Sequence, residues 1–318
     1  MKKLIFSVAL LSAALSASAE EHPLWMRYPA ISPDGTTIAF AYKGDLYSVS
    51  VNGGEARQLT THAAFDSHPV WSPDSKKIAF QSNREGSLDI FVIDAKGGAP
   101  TRLTTNSGSE TPIAFADNDH VLYSASLQPT AQSIIFGDNT FPQVYKVSTK
   151  GGRPELFSTL TMEDISIAKN GDILYHDKKG YEDPWRKHQK SPIARDIWLK
   201  SNGKFAKQTT FAGEDRSPVW TSDEKSFFYL SEQDGTFNIY RRSLNSSSDK
   251  QITHHKGNPV RFLTASSADL LCYGYDGEIY TVKEGGEPQK VNISITTDND
   301  APSLVRQIKS WGATEISV

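Results

Sequence analysis

The residues whose types best suit a binding chemistry form a single run of Trp185, Arg186, Lys187 and His188. Cations beside an aromatic ring can hold a peptide carboxylate or anchor a protein interface. The alternative is an internally packed loop in which Trp185 covers the edge of a sheet, and the sequence favours neither. Arg84, in a predicted loop with Ser82 and Gly86, is another candidate contact for a peptide or partner, although a solvated turn is favoured there.

Motifs for catalysis, cofactors and metals are missing from the sequence. There is no Gly-x-Ser-x-Gly elbow, phosphate-binding glycine loop or dinucleotide fingerprint. Two Ser-x-x-Lys matches, at Ser201 and Ser222, fall in predicted hairpin turns, and the histidines lack metal-ligand spacing. We therefore predict no catalytic residue, no cofactor and no metal site in this chain.

Composition limits the classes of partner. The 318 residues carry a net charge of −3 and a pI near 6.3, which gives no indication of a nucleic-acid or anionic-membrane partner. The single cysteine, Cys272, lies in an apolar run and is predicted to be a buried structural thiol.

The first 19 residues have the pattern of a secretory signal. Lys2 and Lys3 precede a short apolar run, and small residues at 17–19 suit cleavage after Ala19. We expect an exported, periplasmic protein. No other apolar run approaches membrane-spanning length, so we expect no membrane association after cleavage.

The elements that would position these residues are short strands. Residues 69–104 contain four apolar runs separated by turn signals, among them Ser72-Pro73-Asp74 and Lys96-Gly97-Gly98. This pattern predicts four antiparallel strands in one small sheet.

The unit recurs six times, about every 46 residues from Pro29 to Pro259, close to the roughly 40–45 residues of a four-stranded propeller blade. A lone sheet of this kind has two apolar faces, and stacking the copies around an axis buries both. We predict an all-β fold, a six-bladed β-propeller of four-stranded antiparallel blades spanning residues 20–295. Ring closure is expected from packing of blade one on blade six, without an exchanged strand. Residues 296–318 read as a linker and the start of a further blade.

The repeat resembles that of TolB-type and tricorn-type propellers, which are WD40-like. The resemblance rests on Ser32 to Gly35, Ile38 to Phe40, Asp45 to Tyr47 and Leu59-Thr60. The insertion from Gly180 to His188, and the blade-like start at Ala313, resemble the first propeller of bacterial tricorn-like serine proteases.

That resemblance implies a function. In tricorn-like proteases two propellers precede a PDZ domain and a serine-peptidase core, and the propellers gate or channel peptides. The sequence ends before those parts, so no catalytic residue of the family can be placed on it. The implied partners are peptides or the catalytic domain of the full-length protein, and self-association into a homo-oligomer is a further hypothesis.

Two other functions remain open from the sequence. A TolB-like periplasmic binding propeller is the main alternative, although TolB-type proteins normally carry an α/β domain before the propeller. The propeller of a prolyl-oligopeptidase-type hydrolase is the third, and it would need a following α/β-hydrolase domain.

Overall fold

The computed structural model describes residues 23–126, 141–180, 190–244, 246 and 248–296. All regular structure in these ranges is β-strand, 26 strands in total. Consequently no described helix is long and apolar enough to cross a membrane.

Twenty-four of the strands form six blades. Blade one contains β1 (Arg27–Ile31), β2 (Thr37–Tyr42), β3 (Asp45–Ser50) and β5 (Arg57–Gln58), with β4 (Gly54–Glu55) beside it. Blade two contains β6 (Asp66–Trp71), β7 (Lys77–Glu85), β8 (Ser87–Asp94) and β9 (Thr101–Arg102). Blade three contains β10 (Glu110–Asp117), β11 (His120–Ala125), β12 (Gln143–Ser148) and β13 (Glu155–Ser158). Blade four contains β14 (Met162–Ile167), β15 (Ile173–Asp177), β16 (Ile197–Ser201) and β17 (Lys204–Lys207). Blade five contains β18 (Asp215–Trp220), β19 (Ser226–Ser231), β20 (Asn238–Ser243) and β21 (Asp249–Gln251). Blade six contains β22 (Arg261–Ala265), β23 (Leu271–Tyr275), β24 (Glu278–Val282) and β25 (Gln289–Lys290), and β26 (Ile293–Ser294) follows it.

Each blade is an antiparallel sheet in chain order, with its first strand innermost. In every blade an aromatic residue on the second strand is directly opposite one on the third, and such cross-strand pairs stabilise a sheet. The six pairs are Phe40 with Tyr47, Phe80 with Phe91, Tyr123 with Tyr145, Tyr175 with Trp198, Tyr229 with Tyr240, and Tyr273 with Tyr280. Phe40, Tyr47, Phe80 and Phe91 are buried in clusters that form between neighbouring blades. Cys272 is also fully buried, and burial raises the pKa of its thiol.

The Ser-Pro-Asp turns join neighbouring blades on one face of the disc. Ser32 Oγ donates to Asp34 Oδ1 at 2.5 Å, which fixes the turn between β1 and β2. The backbone N–H of Asp34 then donates to Ser75 Oγ of blade two at 3.1 Å. In the corresponding Thr221-Ser222-Asp223 turn of blade five, Ser222 N–H donates to Asp269 of blade six at 2.7 Å. The turn residues read from the sequence therefore also connect adjacent blades.

The ring closes between blades six and one, as predicted. Ile31 N–H donates to Thr264 Oγ1 at 3.1 Å, and Ser267 N–H donates to the Pro33 carbonyl at 2.8 Å. All four strands of each blade come from one continuous stretch of chain, so the fold is a six-bladed propeller without strand exchange between blades.

A further tie between the two ends of the ring was not predicted. β26 pairs in parallel with β4, and Gly54 and Ala56 donate backbone hydrogen bonds to Asn292 and Ser294. Val291, Ile293 and Ile295 pack into the core of blade one. We call residues 291–295 the latch. It adds to the packing of blade one on blade six and replaces no blade strand.

Candidate functional site

A cavity of about 600 Å³ lies at the axis of the propeller and is lined by the innermost strands of all six blades. Lys178, Arg195 and Phe237 also line it, and each belongs to a connection between the second and third strands of a blade. The cavity therefore lies towards the face that carries these connections, which we call the upper face.

The walls are shaped by β-bulges in the innermost strands. In all six blades the pairing register between the innermost strand and the second strand shifts. In five blades a non-glycine residue at the bulge has a φ between 48° and 59°. Bulges bend a strand and re-aim its side chains, and left-handed backbone costs free energy for such residues. Together with Thr111 of blade three, the residues at these positions all line the cavity, and we call them the hub ring: Tyr28, His68, Thr111, Asp164, Ser217 and Phe262.

One half of the hub ring is aromatic. The rings of Tyr28 and His68 are 3.7 Å apart between centroids, and those of Tyr28 and Phe262 are 4.7 Å apart. These residues come from blades six, one and two, so they form a continuous arc. Burial is the main cause that lowers the pKa of His68 to about 4, although Asp164 acts in the opposite direction. At neutral pH the arc is therefore uncharged.

The other half of the hub ring is polar. Asp164 of blade four is diametrically opposite Tyr28 in the order of blades, and its side chain is 55% exposed. Its Oδ2 accepts a 2.7 Å hydrogen bond from Ser217 Oγ of blade five. Thr111 of blade three lies on the other side of Asp164 from Ser217 in the order of blades. Asp164 is the one acidic residue of the hub ring, and its carboxyl group is oriented by a neighbouring blade.

An ion-pair network supports this polar half from behind. Arg195 donates to Glu163 at 3.0 Å and to Glu214 at 2.8 Å, and Arg216 donates to Glu214 at 2.8 Å. His176 Nδ1 accepts from Ser217 N–H at 3.2 Å, so its Nε2 donates to Glu163 at 3.1 Å. Buried charges need partners of this kind. The network links blades four and five and holds Ser217 and Asp164 in place.

The network also determines the pKa of the Glu163 carboxyl group. Burial alone would raise the pKa of its carboxyl group. The hydrogen bond from His176, together with the charges of Arg195 and Lys178, outweighs burial and holds that pKa well below its usual value. Glu163 is therefore ionised across the physiological pH range.

Arg84 is the one predicted contact residue within the described part of the chain. Its guanidinium donates to both oxygens of the fully buried Asp66, at 2.8 and 3.1 Å, and lies 4.7 Å from the ring centroid of Phe91. The side chain is 12% exposed. A solvated turn does not describe this arginine. It lies within β7 and not in the predicted loop, and it ties the end of this second strand to the innermost strand of blade two.

Trp185, Arg186, Lys187 and His188 lie outside the described residues, as do the predicted signal segment and residues 297–318. A role for the Trp185 to His188 run in binding stays a prediction. Within the described ranges, no group of three or more His, Cys, Asp or Glu side chains is arranged to hold a metal ion.

The hub ring was not predicted from the sequence, although the sequence contains a pattern that marks most of its members. Four of its members directly precede a proline in the innermost strand: Tyr28, His68, Thr111 and Ser217. Aligning the six repeats and comparing the residues at this position would have identified the hub ring. Asp164 and Phe262, its two other members, occupy the same position in their innermost strands, but no proline follows them.

The strand order and the innermost strands around the axial cavity define a six-bladed β-propeller. Within that class, the chain belongs to the family described as the tricorn protease N-terminal beta propeller domain, whose model matches residues 23–288.

Relatives and solved structures agree with this family. The chain is 24% identical over 278 residues to tricorn protease homolog 1 of Streptomyces coelicolor, a match that covers 86% of this chain and 25% of that protein. It superposes on the crystal structure of the tricorn protease with a TM-score of 0.71 and 20% identity, covering 86% of this chain and 26% of the other. For TolB from Acinetobacter baumannii the TM-score is 0.59 at 14% identity, with 85% and 65% covered. The chain thus spans about a quarter of the length of the tricorn relatives.

Proposed function

We propose that this chain is the propeller module of an exported tricorn-like serine protease, in which the hub admits or channels peptides for a catalytic domain that lies outside this chain. The observation that carries the proposal is the axial cavity, lined by all six innermost strands and divided into an aromatic and a polar half. An extended peptide presents both apolar side chains and backbone polar groups, and such a cavity can receive both. The family match supports the proteolytic context.

The proposal is tested by peptide binding to the chain. We expect Tyr28→Ala combined with Phe262→Ala to weaken binding of labelled unstructured peptides about tenfold or more, because aromatic anchors dominate such contacts. Fluorescence anisotropy measures the affinity, and thermal melting reports whether the variant is folded. Phe205→Ala is the matched control, since Phe205 is an exposed aromatic residue on the outermost strand of blade four. Equal affinity in the folded hub variant and the wild type would contradict a role for the hub.

A TolB-like docking scaffold is the second candidate, and a specific observation favours it. Trp25 and Phe65 are 71% and 50% exposed, and both lie beside second-to-third strand turns on the upper face. Exposed aromatic side chains of this size are typical of protein interfaces. If Trp25→Ala reduces binding of a protein ligand while the hub variant leaves it unchanged, the docking scaffold is the better description. Sedimentation of the same variant tests the homo-oligomer hypothesis.

Export is part of the proposal and rests on residues 1–19. Mass spectrometry of the protein recovered from the periplasmic fraction should give a mature chain that begins at Glu20. An intact Met1 in the cytoplasmic fraction would contradict export.

A further inference from the structure

We propose that the hub selects a cationic group of its ligand, either a peptide amino terminus or a Lys or Arg side chain, and that Asp164 is the residue that recognises it. This inference rests on the proposed function, because it names the chemical class that the same cavity prefers.

The accessibility of the charges points to Asp164. Three cations that line the same cavity are largely buried and already paired, with side chains that are 16% exposed for Lys178, 6% for Arg195 and 12% for Arg216. Their carboxylate partners are Glu163 and Glu214. Asp164, in contrast, keeps 55% of its side chain exposed. Arg261 of blade six also lines the cavity and is half-buried. Asp164 is thus the most exposed of the charged residues that line the cavity, and it is the charge that a ligand reaches most readily.

The orientation of this carboxylate is held by the fold. Asp164 has a φ of 48°, and its Oδ2 accepts the hydrogen bond from Ser217 Oγ. Among the described residues no hydrogen bond reaches its second oxygen, and a carboxylate accepts about four hydrogen bonds, so this oxygen can accept one from a ligand donor. A carboxylate fixed in this way loses little conformational entropy on binding, which favours a specific contact.

The opposite wall suits the rest of a cationic group. Across the axis stand the rings of Phe262, Tyr28 and His68, in contact with one another. Aromatic faces attract cations and pack against the methylene stem of Lys or Arg, or against an apolar first side chain. A cation between a carboxylate and an aromatic arc gains from both walls, whereas an anion there would face Asp164 and the ring faces unfavourably.

The test compares matched peptides and one substitution. The probes are a labelled peptide with a free amino terminus, its acetylated form, and acetylated forms that carry either Lys or norleucine at a central position. Asp164→Asn removes the charge and keeps an oxygen for Ser217, and Asn is among the residues best suited to a left-handed φ. Asp94→Asn, at the exposed end of β8 on the opposite face, changes the net charge equally and is the control.

The expected result is that wild-type protein and the Asp94→Asn control bind a cationic peptide about tenfold more tightly than its uncharged counterpart, while Asp164→Asn abolishes that difference. A preference for the free over the acetylated amino terminus identifies the terminus as the source of the cation. A preference for Lys over norleucine identifies the side chain.

Two outcomes would overturn the inference, and they are distinguishable. If charged and uncharged peptides bind equally well to wild-type protein, the hub binds peptides without charge selection, and the proposed function stands alone. If none of the peptides binds, both the inference and the proposed function fail. Equal melting temperatures of wild type and Asp164→Asn show that the comparison concerns binding and not folding.

Discussion

At the scale of single residues, the same residue type has different roles according to its surroundings. Asp66 and Asp164 both lie near the start of an innermost strand, yet Asp66 is fully buried under Arg84 whereas Asp164 is open to the cavity. A buried carboxylate needs a cationic partner within the protein, whereas an exposed carboxylate can bind a cationic ligand instead. The residue that the sequence suggested as a contact, Arg84, is thus engaged within its own blade.

Replacing Arg84 tests this assignment. We expect Arg84→Met to lower the free energy of unfolding by about 3 kcal/mol, because it leaves Asp66 buried without a partner. Urea unfolding measures the change, and adding Asp66→Asn to the same chain should restore part of it. Arg153→Gln, an exposed arginine, should change stability by less than about 0.5 kcal/mol. Unchanged stability with weaker peptide binding would instead support the contact role predicted from the sequence.

At the scale of elements, the latch depends on one close approach. A Cβ atom at Gly53 would lie 2.4 Å from the carbonyl oxygen of Asn292, whereas one at Gly54 would meet nothing within 4 Å. Both glycines have positive φ, at 84° and 113°, so alanine strains the backbone at either position. The two positions differ in the space that the latch leaves for a side chain.

This difference makes a matched pair of variants. We expect Gly53→Ala to lower the free energy of unfolding by about 2 kcal/mol more than Gly54→Ala does, because the added methyl group displaces the latch. Thermal or urea unfolding of both variants measures the difference. Equal losses would show that backbone strain alone accounts for the effect and that the latch tolerates the displacement.

At the scale of the whole molecule, stability is distributed over the seams between blades. Two seams contain fully buried carboxylic acids, Glu110 between blades two and three and Asp215 between blades four and five. Burial is the main cause that raises the pKa of each to about 7, with Asp89 and Asp196 across the respective seams contributing in the same direction. The hydroxyl groups of Thr104, Ser231 and Thr209 lower these pKa values only in part. The folded ring therefore favours the protonated form of both acids.

The pH dependence follows from the sign of these shifts. A folded-state pKa raised above the unfolded value gives stability that is fully present below about pH 4 and is lost as pH rises towards about 7, by at most about 1.4 kcal/mol per pH unit and group. We expect Glu110→Gln with Asp215→Asn to lose less stability than wild type between pH 5 and pH 8 in urea unfolding. His68 acts in the opposite direction in both proteins, so the comparison isolates the two acids. Parallel curves would contradict the prediction.

The sequence by itself determined the repeat, the strands and the number of blades. Turn chemistry and alternation act over a few residues, so Ser32-Pro33-Asp34 and the aromatic pairs such as Phe40 with Tyr47 follow from local composition. Six such sheets, each with two apolar faces, can bury all of these faces by closing into a ring.

Only the tertiary structure decided where the site lies and how the ring is tied. Ser217 meets Asp164 from 53 residues away, and the latch brings Asn292 to Gly54 at the other end of the propeller. Such contacts depend on the stagger at each bulge and on closure around the axis, which no local pattern encodes. The exposed carboxylate of Asp164 faces the aromatic arc because blade four lies opposite blade one across the hub. This arrangement arises only when the six blades close into a ring.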